Sequence, residues 1–256
     1  MRTIRKRAVP NRLTEWRAPR LAAGRPEGME CTYGEMRSTS DVLEEIEDNL
    51  FAEQGGICAY TGHRIRLKTT ASPNGINRTV EFHIEHLVPQ KYCTAEFDNY
   101  GKDADYGNLL ACWPRPNCGF EPAYGARKKG SWPSPEEQAQ FVSPLRPDCS
   151  VRFRFDHRGA INATREDDAA ANETIGRLGL NDPTLTALRR EAIRGALNPA
   201  SRQIKLNEAR RLLQEMERDS NDVNRGVFMQ LTEFSFAIQP ALEREIRKLE
   251  GIRNQV

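Results

Sequence analysis

The stretch His83-Ile84-Glu85-His86-Leu87-Val88-Pro89-Gln90 decides how the rest of the chain is read. It carries two of the four histidines with a carboxylate between them, and a turn-forming proline follows at once. Residues 79–85 alternate as a strand does, with Val80, Phe82 and Ile84 on one face and His83 and Glu85 on the other. Working outward, Asp105-Tyr106-Gly107 leads into the short apolar run Asn108-Leu109-Leu110-Ala111-Cys112, a second strand or the start of a helix. Cys58 lies before the histidines, and Cys112 and Cys118 lie after them.

Three chemistries compete for these residues. A zinc protease needs H-E-x-x-H or H-x-x-E-H on one helical turn; this sequence has H-x-E-H in a strand-like stretch and fails on spacing. A zinc deaminase pairs H-x-E with P-C-x-x-C. His83-Ile84-Glu85 fits the first half, but Pro116-Asn117-Cys118 has an extra residue and no cysteine follows three later. A one-metal phosphodiesterase fits better. Glu85 offers the oxygen that a hard ion such as Mg²⁺ or Mn²⁺ prefers, and His86 can take a proton from water near neutral pH. The amide of Asn108 could fix the tautomer of that imidazole, or serve only as a turn residue. Behind the site, Cys58, Cys112 and Cys118 would make a zinc knot. Position 61, where a C-x-x-C partner is expected, is Thr61, so His63 or Cys93 is left as the fourth ligand. The other reading of these cysteines is unrelated buried thiols.

Composition bounds the alternatives. The chain has 256 residues, 38% hydrophobic and 29% charged, with a net charge of +2, enough for one large domain or two modest ones. No apolar run approaches the roughly 20 residues of a membrane helix, and the N-terminus shows no secretory h-region. A cytoplasmic protein with no membrane partner is expected. Six cysteines in a chain of this length do not suggest a disulfide framework. Residues 1–25 hold Arg2, Arg5, Lys6, Arg7, Arg12, Arg17, Arg20 and Arg25 against the single acid Glu15. That composition suits a polyanion such as nucleic acid, and suits a solvated arm equally well.

The predicted fold class is α+β and mainly helical. Residues 1–37 read as an irregular basic arm, 38–131 as the core unit, 132–164 as linker and β-hairpin, and 165–256 as a helical region. A helix is expected over 41–53, capped by Ser40 or Asp41 and stopped by Gly55-Gly56. A tight turn is expected at 61–63. Residues 69–78 read as loop and 91–107 as polar loop. Arg127-Lys128-Lys129 is a phosphate contact or a solvated loop. A hairpin turns at 156–159, with His157 as a turn residue. Helices follow: one bearing Ile175 and Leu178, one opened by Asp182-Pro183 with Leu185, Leu188 and Ala192 inward, one over 201–219, and one from about Pro240.

Taken together, Gln54-Gly55-Gly56-Ile57-Cys58-Ala59-Tyr60, His83-Ile84-Glu85-His86 with Pro89-Gln90, Asn108-Leu109-Leu110-Ala111-Cys112, and Cys118-Gly119 resemble the HNH endonucleases. More narrowly, they resemble the PtuB-type HNH proteins of Septu and retron anti-phage defence systems. The resemblance covers residues 41–130 and continues weakly into the following helices. It implies a ββα-metal core in which His86 is the general base, Glu85 holds the metal and Asn108 is the orienting residue. A PtuA-like ATPase would be the partner, with a retron reverse transcriptase and its DNA product as further components. The substrate would be DNA rather than RNA, cleaved inside the bacterial cytoplasm. Gly119 stands where the third HNH residue is expected, so a further metal ligand must come from His83, Asn117 or the 120–130 loop. A second reading, from another class, is a catalytically inactive nucleic-acid-binding or scaffold subunit that keeps the fold.

Overall fold

In a computed structural model, which describes residues 1–24, 27–72 and 75–253, the helix that delivers the chain to Cys58 spans Ser40–Glu53. Two shorter helices precede it, so in chain order they are α1 (Asn11–Leu21), α2 (Tyr33–Arg37) and α3 (Ser40–Glu53). Val42, Ile46, Leu50 and Phe51 of α3 are buried, as their spacing predicts. The residue before α3 is Thr39, which makes no side-chain cap bond, rather than Ser40 or Asp41. Gly55 and Gly56 end α3 at φ +62° and +66°. A Cβ on Gly55 would lie 2.5 Å from Leu231 Cγ, so glycine is required there by packing as well as by backbone angle.

The basic N-terminal segment is not an irregular arm. It contains α1 and α2, and buries Met1, Ile4, Leu13, Trp16 and Met36. Several of its cations face the chain itself: Lys6 pairs with Glu53 at 2.7 Å and Arg17 with Asp105 at 3.4 Å, while Arg5 and Arg12 are exposed. Arg2 and Arg7 donate to the carbonyls of Gln54 and Gly226. Arg25 lies outside the described residues. Composition concealed this because a few apolar side chains, Leu13 and Trp16 one turn apart among them, suffice to bury a short helix.

Residues 69–78, expected as loop, belong to an antiparallel hairpin of β1 (Leu67–Ser72) and β2 (Gly75–Val80), in register from Leu67↔Val80 to Ser72↔Gly75. Pro73 and Asn74 at its tip lie outside the described residues. The hairpin is polar and largely exposed, so no apolar alternation announced it. The strand predicted over 79–85 is broken at Glu81-Phe82, and β3 is His83–His86. It pairs antiparallel with β4 (Leu109–Cys112), which settles that run as strand. A single helical turn, α4 (Ala126–Lys129), follows.

The 156–159 turn joins β5 (Phe153–Phe155) to β6 (Ile161–Ala163) as expected. The helices are α5 (Ala169–Arg177), α6 (Pro183–Leu197), α7 (Leu206–Asn224) and α8 (Ser235–Arg253). The Asp182 carboxylate accepts from the N–H groups of Thr184 and Leu185, which confirms it as the cap of α6. Leu188, expected inward, is 40% exposed. α7 starts later than position 201, because Pro199-Ala200-Ser201 form a short 3₁₀ turn with Ala200 at φ +51°. α8 runs through Pro240 instead of beginning there. α7 and α6 both pack on α8, and α8 also touches β5.

The architecture is therefore mixed, with much helix and small two-stranded antiparallel sheets among the described residues, consistent with an α+β class. One hydrophobic core runs through all of it, from Met1 and Leu13 through Leu50, Tyr60 and Leu110 to Leu185 and Leu242. Among the described residues no helix is long and apolar enough to cross a membrane.

Candidate functional site

The two strands that carry the candidate residues are held in one register: His83 opposite Cys112, Glu85 opposite Leu110, His86 opposite Leu109. Their position is fixed from α3, whose buried Gln54 follows the last helical turn. Gln54 donates to the carbonyls of Ile57 and Ala111 and accepts the Ala111 N–H at 2.7 Å. One amide therefore stitches β4 to the turn that carries Cys58. Replacing Gln54 with leucine is expected to lower stability by about 2–3 kcal/mol, because it leaves the Ala111 N–H and carbonyl buried without partners. A urea melt reads this directly.

His86 ends β3 and is 7% exposed. Its Nε2 lies 3.0 Å from the carbonyl oxygen of Asp103. A carbonyl can only accept, so Nε2 carries the proton and Nδ1 keeps its lone pair. Tyr33 and the imidazole pack edge to face, 4.6 Å between ring centroids. Burial lowers the imidazole pKa to about 4, against a smaller opposing effect of the Asp103 bond, so the ring is neutral at pH 7.

Asn108 does not orient that imidazole. Its Oδ1 accepts the Val88 N–H at 2.7 Å, and its Nδ2 donates to the carbonyls of Val88 and Lys102. Buried at 1% exposure, it ties the segment after β3 to the loop that presents Asp103. The orienting contact expected of Asn108 is made instead by the Asp103 carbonyl, and Asn108 acts one step away by fixing the chain on both sides.

Glu85 and His86 are neighbours in a strand, so their side chains leave on opposite sides. Their contacts differ accordingly. The Glu85 carboxylate faces Lys129, whose Nζ is 2.8 Å from Oε1, off the hydrogen-bonding direction. Lys129 also donates to the His86 carbonyl oxygen at 2.8 Å. Burial raises the Glu85 pKa, opposed chiefly by the Lys129 charge. Lys129 comes from the basic run 127–129, so neither a phosphate contact nor a solvated loop describes it; Arg127 and Lys128 remain exposed. His83, on the Glu85 face, places Nδ1 2.5 Å from the Pro114 carbonyl oxygen. His86, Glu85 and Asn108 thus do not converge on one point.

Of the proposed zinc ligands, two meet and the others lie with different partners. Cys58 and Cys112 are buried side by side. Burial raises the Cys58 pKa, but hydrogen bonds from the Cys112 thiol, the Thr61 hydroxyl and the backbone N–H groups of Thr61 and Trp113 outweigh it and hold the pKa well below the usual thiol range. The turn between Cys58 and His63 closes as the sequence predicted, with the Cys58 N–H on the His63 carbonyl and Gly62 at φ +82°. Cys118, however, bonds through its thiol to the Phe120 carbonyl. His63 is held between Tyr124, at 3.1 Å from Nε2, and Glu233, at 3.4 Å from Nδ1, and lies against Trp113. Cys93 donates to the carbonyls of Val88 and Pro89. Among the described residues no three His, Cys, Asp or Glu side chains are grouped to hold a metal. Of the four residues expected to hold zinc, Cys58 and Cys112 lie together, while Cys118 and His63 are bonded elsewhere, and the carboxylate expected to hold Mg²⁺ or Mn²⁺ lies beside an ammonium.

Next to His83 the surface opens into a cleft of about 330 Å³ lined by Arg64, Arg66, Glu81, Trp113, Pro114, Arg115, Cys118 and Phe120. Phe120 is 50% exposed, with its ring 5.9 Å from that of Trp113. Arg66 is paired with Glu81, Arg64 donates to the carbonyls of Leu231 and Gly56, and Arg115 is exposed. Cations beside aromatic faces form the surface that single-stranded nucleic acid uses.

Compared with known proteins, the chain matches no family model and no curated protein.

Proposed function

We propose that the chain is an HNH-type nucleic-acid phosphodiesterase built on β3, β4 and α4, acting as the effector of an anti-phage complex with a PtuA-like ATPase. The observation that carries this reading is the state of His86: buried, neutral, with Nε2–H committed to a backbone carbonyl and Nδ1 left as a base. A base fixed in one tautomer can take a proton from water as the oxygen attacks phosphorus, with no reorientation required. The order strand, strand, helix supports the ββα reading, and the Arg66–Arg115–Phe120 cleft beside β3 supports a polynucleotide as the ligand. DNA is the substrate proposed, with a reverse transcriptase and its DNA product as further components of the complex. The proton transfer is assigned to His86 alone, and no step is routed through a metal.

One observation favours the second reading, an inactive nucleic-acid-binding or scaffold subunit: the carboxylate of Glu85 is already neutralised by Lys129. A plasmid-nicking assay separates the two. It compares wild type with His86→Ala, with and without the ATPase, in Mg²⁺, in Mn²⁺ and in chelator. The nuclease reading expects nicking by wild type and a loss of about 10²–10⁴-fold in the variant. Equal silence of both in every combination, with DNA still bound, hands the chain to the scaffold reading.

The cleft gives a separate expectation. Phe120→Ala and Arg115→Ala should each weaken binding of a single-stranded oligonucleotide about 5- to 10-fold, as one stacked base or one phosphate contact is lost. Fluorescence anisotropy at two salt concentrations measures both, and only the arginine variant should flatten the salt dependence.

A further inference from the structure

The strand that carries His86 holds a buried cation on its Glu85 side. The Lys129 side chain is 1% exposed, and its ammonium lies 2.8 Å from Glu85 Oε1 and 2.8 Å from the His86 carbonyl oxygen. Two elements hold it there, since Lys129 ends α4 while both acceptors belong to β3. Glu85 is itself enclosed, with 13% of its side chain exposed. A divalent ion of the magnesium class wants about six oxygens and keeps water on several of them. Here it would find one carboxylate, next to a fixed positive charge, with no grouped second and third donor among the described residues.

We propose that Lys129 is the resident cation of this centre. As folded, the chain takes up no divalent ion at Glu85, because the ammonium occupies the place such an ion would need. The pair is neutral, so no unpaired charge is buried on the Glu85 side of the strand that carries His86. Lys129 is a positioning residue in this account: it reaches the base through the His86 backbone and the carboxylate through its charge. The inference deepens the phosphodiesterase reading by assigning the electrostatics of the same site, but it is tested without turnover.

Titration of the full chain with Mn²⁺, followed by the loss of the free-ion paramagnetic resonance signal, is the experiment. Wild type and Glu85→Gln should give superimposable curves. Lys129→Met removes the ammonium and leaves the Glu85 carboxylate, to which an ion that keeps its own waters can bind, so it should take up Mn²⁺ at least about tenfold more tightly than wild type. The gain should vanish in the double variant Glu85→Gln/Lys129→Met. A stoichiometric Mn²⁺ on wild type that Glu85→Gln abolishes overturns the proposal, as does a folded Lys129→Met with no gain. Should Lys129→Met fail to fold, Lys129→Gln keeps an N–H donor for the His86 carbonyl and takes its place. The comparison of wild type with Glu85→Gln needs neither. A chain inert toward DNA that passes this test leaves the Lys129 assignment standing; an active chain with a Glu85-dependent Mn²⁺ site keeps the nuclease reading and removes this one.

Discussion

Glu53→Ala should cost the chain about 3–5 kcal/mol, the range found when one partner of a buried ion pair is removed. The Glu53 side chain is fully buried. Its Oε1 accepts from Lys6 Nζ at 2.7 Å, and its Oε2 accepts from the Arg7 backbone N–H at 3.0 Å and the Tyr106 hydroxyl at 2.7 Å. Lys6 also donates to the Leu109 carbonyl at 2.6 Å and lies 4.0 Å above the Tyr106 ring. Removing the carboxylate strands a buried ammonium and a buried hydroxyl together. It also loosens the start of β4, whose Leu109 carbonyl accepts from Lys6. Burial already pulls the Lys6 pKa down, with Glu53 as the opposing charge, so losing Glu53 drives Lys6 toward its neutral form. Urea denaturation of Glu53→Ala, Lys6→Met and the double variant measures the coupling. The double variant should recover part of the loss of Glu53→Ala, because it no longer buries an unpaired charge. A single-variant cost under about 1 kcal/mol would show that the cluster is solvated.

That cluster is why local composition misleads about the N-terminal segment. Local composition shows Arg2, Arg5, Lys6 and Arg7 as free charges, and only the fold reveals that Lys6 answers a glutamate 47 positions away. Where the signal was local, the sequence sufficed. The stripe of α3, the Asp182-Pro183 start of α6, the Gly62 turn and the β5–β6 hairpin all follow from periodicity or turn chemistry within a dozen residues. The polar β1–β2 hairpin gives no such signal because only its base, Leu67 and Val80, packs on the core, so there is little alternation to mark.

At the candidate site the same division holds. His86, Glu85 and Asn108 were legible as chemical groups, and the structure places each on or beside β3 and β4. Their partners were not legible. Asp103 acts through its carbonyl, which every residue has, so its identity carries no trace of the role. Lys129 is one of three consecutive cations, and a helix of one turn is too short for periodicity to tell the buried one from its exposed neighbours. Cys118 and His63 fit a metal-ligand spacing, yet the structure gives them to Phe120, Tyr124 and Glu233. Spacing along the chain cannot decide which way a loop turns.

His86 should also set a pH dependence that can be isolated by difference. Its ordinary pKa of 6.5 falls to about 4 in the fold, chiefly by burial. Between those values the unfolded chain binds a proton that the folded chain refuses, so stability rises with pH across this window. The contribution is complete above about pH 6.5 and is lost as pH falls toward 4. The Met1 amine, lowered by burial from 8.0 to about 5, acts in the same direction over its own window. Glu85 and Asp103 act oppositely, because burial raises their pKa values and the fold gains as they protonate. Total stability therefore mixes signs, and the informative quantity is the difference between wild type and His86→Gln. From pH 7.5 to 4.5 that difference should shift by about 2–3 kcal/mol against wild type, as the variant has no imidazole to protonate on unfolding. Parallel curves for the two proteins would mean that the imidazole is hydrated and free to charge in the folded chain. On the proposed phosphodiesterase reading the same shift bears on activity. A base of pKa about 4 stays unprotonated through the mildly acid range, so the acid limb of kcat/KM should fall near pH 4 rather than near 6.5.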